Sequence, residues 1–254
     1  MSHGEPLLQT CDLTKNFGGL LAVNNVCYKV SEGEKCGIVG PNGAGKTTLI
    51  NLISGYLSPT NGKVLYFGRD ITKLKPFKRV ELGIIRTFQL ASLFLNMSVL
   101  ENIALAIARF AGNYGNVRKR FFSPLLDPTV TEKAFNFLEM VKLEDVADCP
   151  VGSLPYGNRR KLEIAMALAQ NPKIILFDEP FAGLSDPEIQ EITAIIKDFC
   201  SERTLVMVEH KITQLQKIVD KLSVMCDGQI IAEGKPKEVM EDPKVQELYW
   251  RYKE

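Results

Sequence analysis

The sequence predicts an α/β fold with a mostly parallel sheet core, an antiparallel β subdomain and an inserted helical subdomain. Three patterns predict it. Beyond residue 157, apolar strands alternate with amphipathic helices, the order of a parallel sheet covered on both faces. Before residue 70, short strands are separated by glycine-containing turns, which suits an antiparallel layer. Between about 90 and 156 the strand pattern gives way to helical periodicity.

Each element follows from its own residues. Strands are expected at 7–12 and 22–30, with Gly18-Gly19 turning between them and Ser31-Glu32-Gly33-Glu34 turning before a short buried strand at 35–39. Residues 48–54 carry apolar pairs at helical spacing and stop at Gly55. Asn61-Gly62 and Gly68 bracket a strand at 63–67, and a further buried strand at 83–88 ends at Gln89. Ser98 and Glu101 have the spacing of a capping box, opening a helix to about 110. The stretch 111–128, rich in Gly, Pro and basic residues, reads as a loop before helical periodicity resumes at 131–141. Helices at 159–169, 188–200 and 212–219 then alternate with strands at 173–177 and 204–208. No internal repeat is present.

Composition narrows the function classes. A chain of 254 residues with 45% hydrophobic content can bury a sizeable core. A formal charge of +1 supplies no general drive toward nucleic acid or anionic lipid, and Arg118-Lys119-Arg120 is only a local basic cluster. The six cysteines show no C-x-x-C spacing, and several sit in apolar runs where Cys behaves as a small hydrophobe, so reduced thiols are expected. No stretch approaches the roughly 20 apolar residues that span a bilayer. If the protein acts at a membrane, another chain supplies the membrane part.

The strongest chemical signal is Gly40-Pro41-Asn42-Gly43-Ala44-Gly45-Lys46-Thr47, placed between the strand at 35–39 and the helix at 48–54. Glycines let backbone N–H groups crowd around phosphates, Lys46 neutralises β/γ oxygens, and the Thr47 hydroxyl suits Mg²⁺. The helix dipole faces the same anions. Nucleoside triphosphate binding is therefore expected.

Further residues fit around that loop. The strand Lys173-Ile174-Ile175-Leu176-Phe177 ends in Asp178-Glu179-Pro180, delivering two carboxylates to a sheet edge. Asp178 would hold Mg²⁺ through water, and Glu179 would act as general base on the attacking water. Gln89, also at a strand end, could reach the metal and that water. His210 closes the strand at 204–208, where an imidazole can hydrogen-bond a γ-phosphate or simply serve the fold. The segment Ser153-Leu154-Pro155-Tyr156-Gly157-Asn158 precedes a helix whose N-terminus can face phosphate. Phe17 is either a buried aromatic or a platform for adenine, and spacing does not choose.

In this order and at these separations, the elements resemble an ATP-binding cassette, the ATPase subunit of ABC transporters, from about Leu7 to the end of the chain. The resemblance implies a P-loop NTPase (RecA-like) core with its antiparallel subdomain over 7–89 and 157–254, and a helical subdomain over about 90–156. It implies ATP stacked on Phe17 and held by Gly40, Asn42, Gly43, Ala44, Gly45, Lys46, Thr47 and Thr48. Mg²⁺ would be held by Thr47, Gln89 and Asp178. Glu179, His210 and Gln89 would be catalytic, with Tyr156, Gly157 and Asn158 in the signature motif. Such cassettes pair head to tail with an identical or related cassette and bind membrane permease subunits. An external solute-binding protein is an indirect partner, the place is the cytoplasmic face of the membrane, and no nucleic acid takes part. More narrowly, Phe17-Gly18-Gly19-Leu20-Leu21-Ala22-Val23, Arg86-Thr87-Phe88-Gln89, Met97-Ser98-Val99-Leu100-Glu101-Asn102 and Phe181-Ala182-Gly183-Leu184 resemble importer cassettes for branched-chain and other hydrophobic amino acids, amides and urea. Amino-acid uptake is the expected function, with amide or urea uptake the alternative and a non-transport cassette acting on DNA or ribosomes the rival.

Two departures stand out. Where the family's signature begins Leu-Ser-Gly-Gly-Gln, this chain has Leu154-Pro155-Tyr156-Gly157-Asn158. Pro155 has neither hydroxyl nor N–H, a loss of about 1.5–3 kcal/mol if nothing replaces that hydrogen bond to a charged group. The family's aspartate directly after Leu184 is here Ser185, with Asp186 one place later. Either could make the contact with the partner cassette.

Overall fold

The computed structural model describes residues 5–87, 93–110 and 127–251. In chain order, the first elements are β1 (Leu8–Phe17), β2 (Leu20–Val26), β3 (Lys29–Val30), β4 (Lys35–Val39), α1 (Lys46–Ser54), β5 (Asn61–Tyr66), β6 (Arg69–Asp70), α2 (Pro76–Glu81) and β7 (Ile84–Arg86). Three helices follow, α3 (Val99–Phe110), α4 (Pro128–Val141) and α5 (Tyr156–Ala169). The chain continues through β8 (Ile174–Asp178), α6 (Asp186–Phe199), β9 (Thr204–Val208), α7 (Ile212–Leu215), β10 (Lys221–Cys226) and β11 (Gln229–Gly234), and then α8 (Pro236–Glu241) and α9 (Pro243–Arg251). These form two compact units, one of Met1–Arg86, Lys173–Phe181 and Ile196–Glu254, the other of Thr87–Pro172 and Ala182–Ile195.

The first unit holds both sheets. The larger has the order β11-β10-β4-β9-β8-β7, parallel throughout except for the antiparallel β11. The smaller runs β2-β1-β5-β6, with β3 also on β1, and every pair is antiparallel. The mostly parallel core and the antiparallel layer are as the sequence predicts. All five residues of β8 and of β9 are buried, which is why those strands read as unbroken apolar runs. One apolar cluster joins the two sheets through α1, whose Leu49, Ile50, Leu52 and Ile53 are fully buried. Each such side chain contributes about 1.5–3 kcal/mol.

Helix α1 ends at Gly55 in the left-handed conformation, φ 83°. Gly55 N donates to Leu52 O at 3.3 Å, and Arg79 supplies further partners at this end: its guanidinium donates to Leu52 O at 2.7 Å and Ile53 O at 2.6 Å, and to Thr72 O and Leu74 O. Burial lowers the Arg79 pKa to about 10.

In the second unit α3, α4 and α5 pack against one another. The expected capping box is present: Ser98 N donates to Glu101 Oε2 at 2.7 Å, and Glu101 N donates to Ser98 Oγ at 3.1 Å.

Several boundaries differ from expectation. The strand expected at 22–30 breaks at Cys27 and Tyr28, because Thr10 takes over the ladder: its hydroxyl donates to Val26 O and accepts from Tyr28 N. The helix expected from 131 starts at Pro128, where Asp127 caps it by accepting from Thr129 N and Val130 N. The helix expected over 212–219 closes at Leu215, after which Lys217 N and Ile218 N bond three residues back and tighten the chain. The strand expected at 83–88 covers only Ile84–Arg86, and Phe88 lies outside the described residues, as does 111–126 of the expected loop. The strands β10 and β11 and the helices α2, α8 and α9 are additional to the elements expected. All six cysteines remain thiols.

Candidate functional site

Strands β4, β9 and β8 are parallel neighbours, so the segments following them leave the sheet at one edge, just past the rungs Ile38↔Val208 and Asp178↔Val208. After β4 the backbone makes the predicted loop, with positive φ at Gly40 (156°), Gly43 (81°) and Gly45 (97°). The three glycines are needed for different reasons. A Cβ on Gly40 would lie 2.0 Å from Met225 O, and one on Gly45 would lie 2.1 Å from Ala22 O, whereas Gly43 faces open space. Asn42 and Gly43 are exposed; Ala44 is buried, with its carbonyl bonded to Gly228 N at 3.1 Å.

Lys46 begins α1, and its buried Nζ donates to Gly40 O at 2.9 Å and Pro41 O at 3.0 Å, across the mouth of its own loop. Burial pulls its pKa below the usual lysine range, while Glu179 and Asp178 pull it upward. Thr47 and Thr48 occupy the same first turn. The Thr47 hydroxyl donates to Asp178 Oδ1 at 3.3 Å. Asp178 is 0% exposed, and its second oxygen, Oδ2, accepts from Arg86 Nη2 at 2.8 Å. Arg86 also donates to Asn51 Oδ1 and to Ser54 Oγ, tying the end of β7 to α1 and β8.

Glu179 is the first residue past β8 and has φ 51°, a left-handed conformation that is uncommon away from glycine. Its N–H donates to Val208 O at 2.9 Å, and its Oε1 lies 2.9 Å from His210 Nε2. Between β9 and His210 sits Glu209, 3% exposed, whose carboxylate accepts from Phe181 N and His210 N. Phe17 ends β1 with its ring partly exposed and the Lys15 ammonium 5.1 Å from its centroid. Gln89 lies outside the described residues.

In the second unit, Tyr156, Gly157 and Asn158 form the first turn of α5, with Pro155 as its N-cap and no side-chain cap bond. The Tyr156 hydroxyl donates to Ala182 O at 3.2 Å. Gly157 packs so closely on Glu188 that a Cβ there would meet Oε1 at 2.1 Å. The Glu188 carboxylate accepts from Ser185 N at 2.8 Å and Ser185 Oγ at 2.6 Å, and these bonds hold its pKa below the usual carboxylate range. Ser185 is thus turned onto Glu188, and Asp186 opens α6 beside it.

The oxygens of Thr47 and Asp178 are hard donors of the kind Mg²⁺ takes. Among the described residues no group of three or more His, Cys, Asp or Glu could hold a metal ion. Arg86 and Glu209 are the residues that sequence reasoning did not assign. Arg86 bonds a carboxylate 92 positions away, and Glu209 is buried inside what looks like an ordinary strand end.

Comparison with known proteins agrees with this geometry. Residues 23–182 match the family described as ABC transporter, and residues 229–249 match that described as branched-chain amino acid ATP-binding cassette transporter. The chain is 36% identical over 249 residues to the high-affinity branched-chain amino acid transport ATP-binding protein BraF of Pseudomonas aeruginosa, covering 96% of this chain and 97% of that one. It is 37% identical over 248 residues to the probable branched-chain amino acid transport ATP-binding protein LivG of Archaeoglobus fulgidus, covering 96% and 95%. A crystal structure of a nucleotide-free ATP-binding cassette from an ABC transporter superposes with a TM-score of 0.82 at 35% identity, covering 96% of this chain and 98% of the other. The ADP conformation of such a cassette gives 0.82 at 36% identity with the same coverage.

Proposed function

The chain belongs to the ABC transporter family of ATP-binding cassettes, and from that membership we propose that it powers the uptake of branched-chain or other hydrophobic, neutral amino acids. It is an ATPase, a transporter's nucleotide-binding subunit. The names of its relatives and the match at 229–249 support the cargo class.

The observation that carries the chemistry is the meeting of the 40–47 loop, Asp178 and the Glu179–His210 pair at one sheet edge. In this reading Lys46 and the loop N–H groups neutralise the phosphates, and Phe17 stacks on adenine. Glu179 accepts a proton from water as the water oxygen attacks the γ-phosphorus; the bond to the bridging oxygen breaks, leaving ADP and inorganic phosphate. His210 orients the Glu179 carboxylate and hydrogen-bonds the γ-phosphate. Thr47, Asp178 and Gln89 would hold Mg²⁺, which when bound offsets the phosphate charge. Tyr156, Gly157 and Asn158 present the first turn of α5 to a nucleotide held by a second cassette, identical or related, in a head-to-tail pair.

No helix among the described residues is long and apolar enough to cross a membrane. In this reading membrane permease subunits provide the passage, with this chain at the cytoplasmic face and a solute-binding protein outside delivering the cargo.

Reconstitution with the copurifying permease chains and their binding protein in vesicles tests the proposal. ATP-dependent accumulation of leucine supports it. Accumulation of amides or urea alone reassigns the cargo, and copurification of nucleic acid in place of permeases refutes transport.

A further inference from the structure

Glu209 is a charged residue buried to 3% exposure that no step of the hydrolytic reaction uses. Every hydrogen bond its carboxylate accepts is from a backbone N–H, and the Glu179 carboxylate acts on it as a like charge. Its Oε1 accepts from Phe181 N at 2.7 Å and its Oε2 accepts from His210 N at 3.1 Å. Phe181 N–H is the first backbone donor after Glu179, because Pro180 has none. The carboxylate therefore bridges the two segments that leave β8 and β9, one carrying Glu179 and the other His210.

This bridge bears on a strained position. Glu179 has φ 51° directly after the Asp178↔Val208 rung, and a left-handed glutamate persists only where its surroundings over-determine it. Upstream, Glu179 N is anchored to Val208 O. Downstream, the Glu209 carboxylate holds Phe181. At the other end of the bridge it holds the backbone N–H of His210, whose Nε2 lies 2.9 Å from Glu179 Oε1. We propose that Glu209 is a positioning residue for hydrolysis, one that grips the backbones of Phe181 and His210 and so keeps Glu179 in its left-handed turn and in reach of the imidazole.

The inference rests on the reading of Glu179 as the general base. A carboxylate suits the task because all of these partners are donors. An amide of the same shape keeps one acceptor and turns an NH₂ toward a backbone N–H.

The test compares the purified full-length chain with E209Q, E179Q and the double variant, measuring ATP turnover, affinity for a fluorescent ATP analogue and thermal melting. E209Q is expected to lower kcat by roughly 10–100-fold, the scale of loss that an ångström of misplacement brings. Its nucleotide affinity should stay within about two-fold of wild type, since only the step after binding is affected. In the E179Q background E209Q should cost nothing more, because both act through one group. Wild-type turnover by E209Q, a loss confined to affinity, or a loss that multiplies with that of E179Q would each overturn the inference alone. Normal turnover by E179Q overturns the base assignment and this inference with it. Should E209Q not fold, E209D, which keeps the acceptors but retracts them by one methylene, must lower kcat with affinity retained; wild-type turnover by E209D sinks the proposal.

Discussion

Removing Arg86 while keeping the shape of its stem, as in R86M, leaves the Asp178 carboxylate at 0% exposure without the guanidinium that neutralises it. The Arg86 side chain is itself only 8% exposed, so little solvent screening softens the pair. Breaking a buried ion pair by deleting one partner costs about 3–5 kcal/mol, far more than the net worth of the intact pair. For a chain of this size each kcal/mol lowers the melting temperature by about 2–4 °C, so a drop of roughly 6–20 °C is expected. Melting must be followed without nucleotide, whose binding energy would otherwise add to stability. The double variant R86M/D178N removes the stranded charge but keeps an acceptor for the Thr47 hydroxyl, and should recover most of the loss. Recovery distinguishes a charge effect from simple loss of the Arg86 bonds to Asn51 and Ser54, which D178N cannot restore. If R86M melts within about 2 °C of wild type, or if D178N adds to the damage, the pair is not what holds this edge together.

Three further outcomes follow from the site. Gly45→Ala should destabilise more than Gly43→Ala in urea titrations: both incur the left-handed penalty of about 1–2 kcal/mol, but only at Gly45 does the new Cβ strike Ala22 O; equal losses would contradict the packing. Glu179→Gln should cut turnover by about 10²–10⁴ with nucleotide affinity intact in an equilibrium binding assay. Lys46 has a folded pKa below its unfolded value, so the folded state binds fewer protons between the two and stability rises with pH across that window up to about 10.5. The stability of wild type relative to Lys46→Met, followed by melts from neutral to alkaline pH, should therefore climb, and a flat or falling difference would refute the shift.

The elements most legible in the sequence were those whose signals are local. The phosphate loop, the capping box of Ser98 and Glu101, and the fully apolar β8 and β9 each announce themselves within a dozen residues. Boundaries failed where a distant side chain decided them. Nothing within 22–30 indicates that Thr10 will interrupt the ladder at Tyr28, and the early end of α7 at Leu215 is set by the turn that brings the chain to Lys221. Strand β11 was hidden for another reason: it is a half-exposed edge strand with mixed residues.

The same distinction divides the site. Lys46, Thr47, Asp178 and Glu179 are legible because they stand in contiguous runs, one at a loop-to-helix start and the other at the end of an apolar strand. Arg86 and Glu209 are not, because their partners are a carboxylate 92 residues away and backbone N–H groups 28 and one residues away. A backbone donor has no residue type, so no motif can encode Glu209's role; only burial of a charge inside an otherwise apolar strand end marks it. A carboxylate kept out of water costs stability unless donors converge on it, and here burial still pushes the Glu209 pKa upward despite those donors. An apolar residue at 209 would leave the Phe181 and His210 N–H groups without this acceptor, so the charge is accounted for by the two segments it joins, one of which carries Glu179 in its left-handed turn.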